Sequence, residues 1–256
     1  LIHRLRQGII DRARIDELRI AAHPRRRRYM TEQQRPFGRQ GMERTVGVEP
    51  LRPLDELAPL VDDLREAPVP VVVVLGNHDY HRGLQDEFHR ILRENGIHSL
   101  EGQSTSFEVR GKTIGIMGLK GFGGGFAGAC VTEFGEPETK AFARHSRLQA
   151  DILRRGLEAL DTDYRFALLH FSPVDQTLLG EKKEIYPFLG SYLLAEALDS
   201  VNADGAFHGH AHLGTERGTT PGGVPVRNVA QPVIRHYYNI YTFDTPRRAP
   251  KSADAK

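Results

Sequence analysis

The sequence has no tryptophan, a single cysteine (Cys130) and no long apolar run. One thiol excludes an intrachain disulfide and a zinc site built on several cysteines. The longest β-branched apolar run, at residues 71–75, is far shorter than the roughly 20 residues that a membrane helix requires. The opening LIHRLRQGII lacks the apolar stretch and small-residue cleavage site of a signal peptide. We therefore expect a cytoplasmic protein that has no signal peptide and no membrane partner.

Lysine is missing from the first fifty residues, where arginine is abundant. Residues 1–50 contain 12 Arg and 6 acidic residues, whereas the rest of the chain has more acidic than basic residues. Such a step in composition predicts a boundary near Pro50. We expect an atypical Arg-rich segment at residues 1–50, a main domain at residues 51–245 and a polar tail at residues 246–256.

Four consecutive arginines stand at residues 25–28. Clustered guanidinium groups can neutralise nucleic-acid phosphates and release counterions. The run has no interleaved aromatic residues, however, and this favours a solvated, poorly ordered arm over a nucleic-acid contact.

From residue 51 onward, hydrophobic periodicity and turn signals predict alternating helices and strands, with strands dominating late in the chain. The predicted helices cover residues 53–64, 83–95, 138–160 and 190–201, and residues 2–20 have a loose helical pattern. The predicted strands cover residues 71–75, 106–110, 113–118, 165–170, 205–208, 224–229 and 238–243. This order favours a layered α/β sandwich with mixed sheets.

Three of the predicted strands end in residues that can bind a metal. The strand at 71–75 is followed by GNHD at 76–79, the strand at 165–169 by His170, and the strand at 205–207 by HGHAH at 208–212. Functional groups gather where the strands of an α/β sheet end. Imidazole binds transition metals well, and an amide oxygen is a harder, neutral ligand. The pattern therefore indicates a metal site at one sheet edge.

Two local expectations accompany this site. His210 and His212 are expected to point the same way, because an extended segment repeats every two residues. Gly76 and Gly209 are expected to permit tight backbone turns that bring the side chains into the site.

The order of these motifs resembles that of the calcineurin-like metallophosphoesterases, whose later motifs are GNH(D/E), a lone His after a strand, and GHxH. The resemblance covers about three quarters of the chain. It implies a four-layer α/β/β/α sandwich with two mixed sheets. It also implies a two-metal site in which Asn77, His170 and His210 bind one metal and His212 binds the other.

For catalysis, the resemblance implies that metal-activated water hydrolyses a phosphomonoester or phosphodiester, such as a nucleotide or another small molecule. His78 is expected to stabilise or protonate the phosphate oxygens, and Asp79 to orient His78. The metal is expected to be Mn, Fe or Zn, since His and Asn ligands suit all three.

The family's first two motifs, D-x-H and GDxxD, do not occur in residues 1–75. Two dications about 3.5 Å apart repel by roughly 19 kcal/mol at an effective dielectric constant near 20. The recognised ligands are all neutral, so one metal or none is also an open outcome. Three explanations stay open: a replaced or misread start, a relative that has lost activity, or a substitute acid such as Glu49 or Asp55.

Two other functions stay open as alternatives. One is a non-catalytic scaffold or binding protein that keeps the fold without its metal pair. The other is a nucleic-acid binder that uses the Arg-rich arm. The sequence predicts no oligomeric state.

Overall fold

The computed structural model describes residues 18–21, 53–81, 83–236, 238–243 and 245–247. The strands in chain order are β1 (Leu18–Ala21), β2 (Val72–Val73), β3 (His98–Ser99), β4 (Gln103–Val109), β5 (Lys112–Leu119), β6 (Gly125–Phe126), β7 (Ala129–Cys130), β8 (Tyr164–Leu169), β9 (Gly205–His208), β10 (Arg217–Thr219), β11 (Pro225–Asn228) and β12 (Tyr238–Tyr241). The helices are α1 (Pro53–Arg65), α2 (Gln85–Glu94), α3 (Pro137–Ala159), α4 (Tyr186–Leu189), α5 (Tyr192–Ser200) and α6 (Gln231–Ile234).

The largest sheet has six strands in the order β10-β11-β9-β8-β5-β4. Its central strands β11, β9, β8 and β5 are parallel, and the two edge strands pair antiparallel with their neighbours. The β4–β5 hairpin turns at Arg110 and Gly111, which have φ angles of 50° and 72°. Two successive positive φ angles are typical of the turn that matches the twist of a tight hairpin. Arg110 and Gly111 therefore form the two-residue turn between Val109 and Lys112.

Helices α3 and α5 cover one face of this sheet. Leu153 and Leu157 of α3 are 0% exposed and pack with the strand residues Met117 and Ala167. The next residue toward the start of β8, Phe166, belongs instead to a separate aromatic cluster. Adjacent residues of a strand point to opposite faces, so β8 is buried on both sides, as its continuous apolar sequence predicts.

A second, smaller unit of the fold consists of the parallel pair β2–β3 with α1 and α2. Leu57 and Val61 of α1 pack against Phe88 and Leu92 of α2. Pro59 lies inside α1 without ending it, so the predicted helix at 53–64 is confirmed as continuous. The strand predicted at 71–75 pairs only at Val72–Val73 in the part of the chain that the structure describes.

The helical pattern predicted at residues 2–20 is wrong where it can be compared. Leu18–Ala21 forms strand β1, which pairs antiparallel with β12. The rest of that pattern and the arginine run at 25–28 lie outside the described residues. The other predicted helices and strands are present, with ends that differ by a few residues.

The mixed α/β class and the mixed sheet are therefore confirmed. The remaining sheets among the described residues are two-stranded pairs. Within the same ranges, no helix is both long and apolar enough to cross a membrane.

Candidate metal centre

The strand register places three chain segments at one edge of the large sheet. Leu119 at the end of β5 pairs with Leu169 at the end of β8, and Leu168 pairs with Phe207 of β9. Parallel strands in this register finish at nearly the same level, so the residues that follow them become neighbours. The backbone N–H of His170 donates to the carbonyl of Lys120 at 3.1 Å.

The GNHD segment follows β2, which among the described residues pairs with β3 and not with the large sheet, so the expectation that all three motifs follow strands of one sheet is wrong. The segment nevertheless meets His170 at this edge. The Asn77 Oδ1 and His170 Nε2 atoms lie 2.8 Å apart, although 93 residues separate them in the chain. The segment is a turn in which the N–H of Asp79 donates to the carbonyl of Gly76 at 3.0 Å. In return, the N–H of Gly76 donates to Asp79 Oδ2 at 2.7 Å. Asp79 therefore closes the turn that carries Asn77 and His78.

Gly76 is required by close packing and not by a special backbone angle. Neither Gly76 nor Gly209 has a φ in the left-handed region. A Cβ atom at Gly76 would lie 2.7 Å from His170 Cε1. Both glycines begin tight turns, as expected. Neither turn requires a positive φ at the glycine: Gly76 makes room for the His170 imidazole, and the positive φ falls on His210.

A pair of alanine substitutions tests this packing. Gly76→Ala should lower the free energy of unfolding by about 1–3 kcal/mol, the usual cost of overpacking, and should displace His170. Gly209→Ala is a matched control, because its Cβ would lie 3.8 Å from His170 Nδ1, an ordinary contact. Urea unfolding and Mn²⁺ titration of both variants provide the measurement, and equal behaviour of the two would disprove the steric role of Gly76.

The GHAH segment is a tight turn. His210 has a φ of 68°, and the N–H of Ala211 donates to the carbonyl of Gly209 at 2.8 Å. A three-residue turn with positive φ at its centre is the strained form of the γ-turn. The expectation that His210 and His212 share one side of an extended segment is therefore wrong, because the segment is not extended.

Three contacts define the position of the His210 ring. It lies 4.6 Å from the His170 ring and 4.7 Å from the Phe171 ring, measured between centroids. Its Nε2 lies 3.1 Å from the carbonyl oxygen of Phe188. Since a carbonyl only accepts hydrogen bonds, Nε2 carries the proton in neutral His210, and Nδ1 keeps its lone pair.

Asn228 stabilises the GHAH turn from behind. This residue is 0% exposed at the end of β11. Its Nδ2 donates to the carbonyl of Ala211 at 2.8 Å, and its Oδ1 accepts from the N–H of Ala230 at 3.1 Å. A buried side-chain amide with both ends bonded offsets part of the strain at His210.

His208 is adjacent to the motif but has a different environment. It is 0% exposed, its Nδ1 donates to the carbonyl of Gly209 at 2.8 Å, and its Nε2 lies 2.9 Å from Thr177 Oγ1. Burial lowers the pKa of His208 to about 4. With both ring nitrogens occupied, His208 is a structural residue of the sheet edge.

His170 is neutral near pH 7. Burial is the main cause that lowers the pKa of His170 well below its usual value. The neighbours whose positive charge lowers it further are His210, Lys120, His208 and His78. A metal ligand must be the neutral imidazole, so this environment suits ligation.

His210 has a similar environment. Burial lowers the pKa of His210 to about 4, against the opposing effect of its hydrogen bond to Phe188. The neighbouring charges of His212, His78 and Lys120 lower it further. His78 and His212 themselves are exposed, and their influence on His210 places both near the same edge.

The donor set fits one divalent cation. Asn77 Oδ1 and His170 Nε2 are adjacent, the His210 ring lies beside them, and all three side chains are neutral. Imidazole nitrogen with amide oxygen is a ligand set suited to Mn, Fe or Zn. Within the described ranges, no group of three His, Cys, Asp or Glu side chains has the arrangement of a metal site.

No acidic side chain is among the groups that shift the pKa of His170 or His210 in the described part of the chain. A second cation close to the first would need a carboxylate to reduce the repulsion. Of the two substitute acids considered above, Asp55 lies on α1 and Glu49 lies outside the described residues.

The sequence motifs did not indicate a role for Lys120 or Phe171. They also did not indicate the hydrogen bond from Asn228 to the carbonyl of Ala211. Lys120 follows β5 in the same way that His170 follows β8. This position at a strand end is the signal that could have identified it.

Comparison with known proteins identifies the family. The profile of the calcineurin-like phosphoesterases matches residues 44–214, well over half of the chain. The chain belongs to the calcineurin-like phosphoesterase family. This family hydrolyses phosphate esters and uses divalent metal ions.

One of the similar solved structures supports the fold. Phosphopantetheinyl hydrolase from Mycobacterium tuberculosis is similar with a TM-score of 0.55 and 19% identity, over 77% of this chain and 83% of that chain. A hypothetical protein from Thermus thermophilus has a TM-score of 0.39 and 19% identity, over 65% of this chain and 55% of that chain. The first of these confirms the calcineurin-like fold. No curated protein matches the chain in sequence.

Proposed function

We propose that this chain hydrolyses a phosphomonoester or phosphodiester, with Asn77, His170 and His210 holding one divalent cation. The observation that carries the proposal is the 2.8 Å approach of Asn77 Oδ1 to His170 Nε2, beside the His210 ring. Three distant motifs of a phosphoesterase family supply these groups. His212 is the candidate ligand of a second cation.

A divalent cation at this place would polarise the phosphoryl oxygens and lower the pKa of a water molecule. The chain's own residues then have separate tasks. Hydrolysis forms a bond from phosphorus to a water oxygen and breaks the bond to the leaving oxygen, which needs a proton. We assign the donation of that proton to the exposed His78 imidazole, and Asp79 maintains the turn that presents His78.

The direct test is turnover by the full chain. We expect Mn²⁺ to stimulate cleavage of bis(p-nitrophenyl) phosphate, p-nitrophenyl phosphate or both, and EDTA to abolish it. The comparison of the two compounds separates diesterase from monoesterase activity. Absence of turnover with Mn²⁺, Fe²⁺ and Zn²⁺ in a folded sample would refute the proposal.

One observation favours a second candidate, a non-catalytic relative that binds at most one metal. It is the lack of an acid among the charged neighbours of His170 and His210 in the described residues. Equilibrium dialysis combined with the turnover assay distinguishes the two candidates: the hydrolase should hold Mn²⁺ and turn over ester, whereas the non-catalytic protein would turn over none. A cytoplasmic location and the role of the Arg-rich arm stay predictions from the sequence.

A further inference from the structure

Lys120 lies at the same sheet edge as the metal ligands, directly after β5. Its carbonyl accepts from the N–H groups of both His170 and Phe171, at 3.1 Å and 3.0 Å. These two hydrogen bonds fix the backbone of Lys120, from which its side chain extends, relative to the backbone of His170. The position of Lys120 is therefore determined by the same backbone that positions a metal ligand.

Aromatic rings surround the Lys120 ammonium group. Its Nζ lies 4.9 Å from the centroid of Tyr80, 5.1 Å from Phe171 and 5.5 Å from Phe122. These rings hold the cation through their negative faces and remove part of its water. Nζ also lies 3.2 Å from the carbonyl oxygen of Gly121. An ammonium group has three N–H donors, so the bond to this carbonyl leaves other N–H groups that can bind a further acceptor.

The Lys120 ammonium group lies beside the candidate metal centre. Its Nζ and the rings of His170 and His210 surround the same Phe171 ring, at 5.1, 5.4 and 4.7 Å from its centroid. Burial lowers the pKa of Lys120, and the attraction of the Glu101 carboxylate opposes this shift. The edge thus combines neutral ligands with a held cation, an environment suited to a strongly negative group.

Packing alone does not account for a charged group at this place. Three ring faces around one side chain would accept an apolar residue such as methionine without the cost of desolvating an ammonium. Glu101, whose Oε2 accepts from the backbone N–H of Lys120 at 3.2 Å, supplies part of the opposing charge, and an anion bound by the ammonium group would supply the rest. A phosphate group has the charge and the several acceptor oxygens that an ammonium of this kind binds.

On this basis, which rests on the phosphoesterase function proposed above, we infer that Lys120 binds the non-bridging phosphate oxygens of the substrate and of the phosphate product. Lys120 is then a substrate-binding residue of the site and not a metal ligand. It orients the phosphoryl group between the cation and His78.

The test uses inorganic phosphate as the probe, with the Mn²⁺-loaded full chain. Lys120→Met should weaken phosphate binding by about tenfold to a hundredfold, the usual effect of losing a charged hydrogen bond, with Mn²⁺ content unchanged. Lys120→Arg, which keeps the charge, should recover part of the affinity. Lys112→Met is the matched control, because Lys112 is at the opposite end of β5, exposed, and paired with Asp163 at 3.4 Å.

Each outcome decides a separate question. Equal phosphate affinity in the wild type and Lys120→Met, no phosphate binding by the wild type, or a loss of Mn²⁺ that accompanies the loss of phosphate overturns the inference. Ester turnover by the wild type, measured in parallel, tests the hydrolase function itself. A wild type that binds phosphate through Lys120 but cleaves no ester would refute the phosphoesterase function and limit Lys120 to phosphate binding without a role toward an ester substrate.

Discussion

Replacement of His78 by alanine should lower kcat for phosphate-ester hydrolysis by about 10²–10⁴-fold, the usual contribution of a positioned imidazole acid. His78 is exposed, follows Asn77 directly, and is close enough to lower the pKa values of both His170 and His210. A side chain that acts on the leaving oxygen changes kcat, while Mn²⁺ content should stay at the wild-type value. Steady-state kinetics combined with elemental analysis provide the measurement.

His81 offers a matched control for this prediction. It is an exposed histidine in the same turn, and its N–H donates to the carbonyl of His78 at 3.2 Å. His81→Ala should therefore leave kcat nearly unchanged. If His78→Ala retains full kcat, His78 is not the proton donor; if it loses Mn²⁺ together with activity, His78 is a ligand instead.

The meeting of His170 and His210 could be predicted because it follows from general rules of sheet structure. Each residue comes directly after, or within a few residues of, an apolar strand in the sequence. Parallel strands that are buried on both faces align their ends, as the pairing of Leu119 with Leu169 shows. This rule brings His170 and His210 together, because β8 and β9 pair in the large sheet. It does not account for Asn77, whose strand β2 pairs with β3 in a separate sheet.

The backbone of the GHAH turn could not be predicted in the same way. The two-residue repeat of an extended strand would place the side chains of His210 and His212 on the same side of the backbone. However, β9 ends at His208, and His210 has a positive φ. That angle is unfavourable for a non-glycine residue and is stabilised by a bond from Asn228 to Ala211. The bond joins segments 17 residues apart, so no local pattern contains it.

Lys120 was missed for a different reason. A lone lysine after a strand is common at the surface, and its sequence neighbours form no recognised motif. Its significance comes from rings contributed by Tyr80, Phe122 and Phe171, which lie in separate segments of the chain. Only the folded arrangement shows that the charge is held beside the candidate metal centre.

The contrast between His210 and His208 gives the sharpest separation of ligand from structural residue. Loss of a residue that only supports a metal ligand typically weakens metal binding by about 10–100-fold. His210→Ala removes a ligand itself, so it should weaken Mn²⁺ binding by at least that factor, and the rate of hydrolysis should fall as well. Because His210 is only partly buried, its strained turn should tolerate alanine, and the free energy of unfolding of the metal-free protein should change little.

His208→Ala should show the opposite pattern. His208 is 0% exposed and bonds Gly209 and Thr177 through its two ring nitrogens. Its removal leaves a cavity and breaks buried hydrogen bonds to Thr177 and to the carbonyl of Gly209, which should cost about 2–5 kcal/mol of unfolding free energy. Mn²⁺ affinity in the fraction that remains folded should stay within a few-fold of the wild type. Urea unfolding and Mn²⁺ titration of the two variants decide the assignment, since equal loss of Mn²⁺ from both would contradict His210 as the ligand.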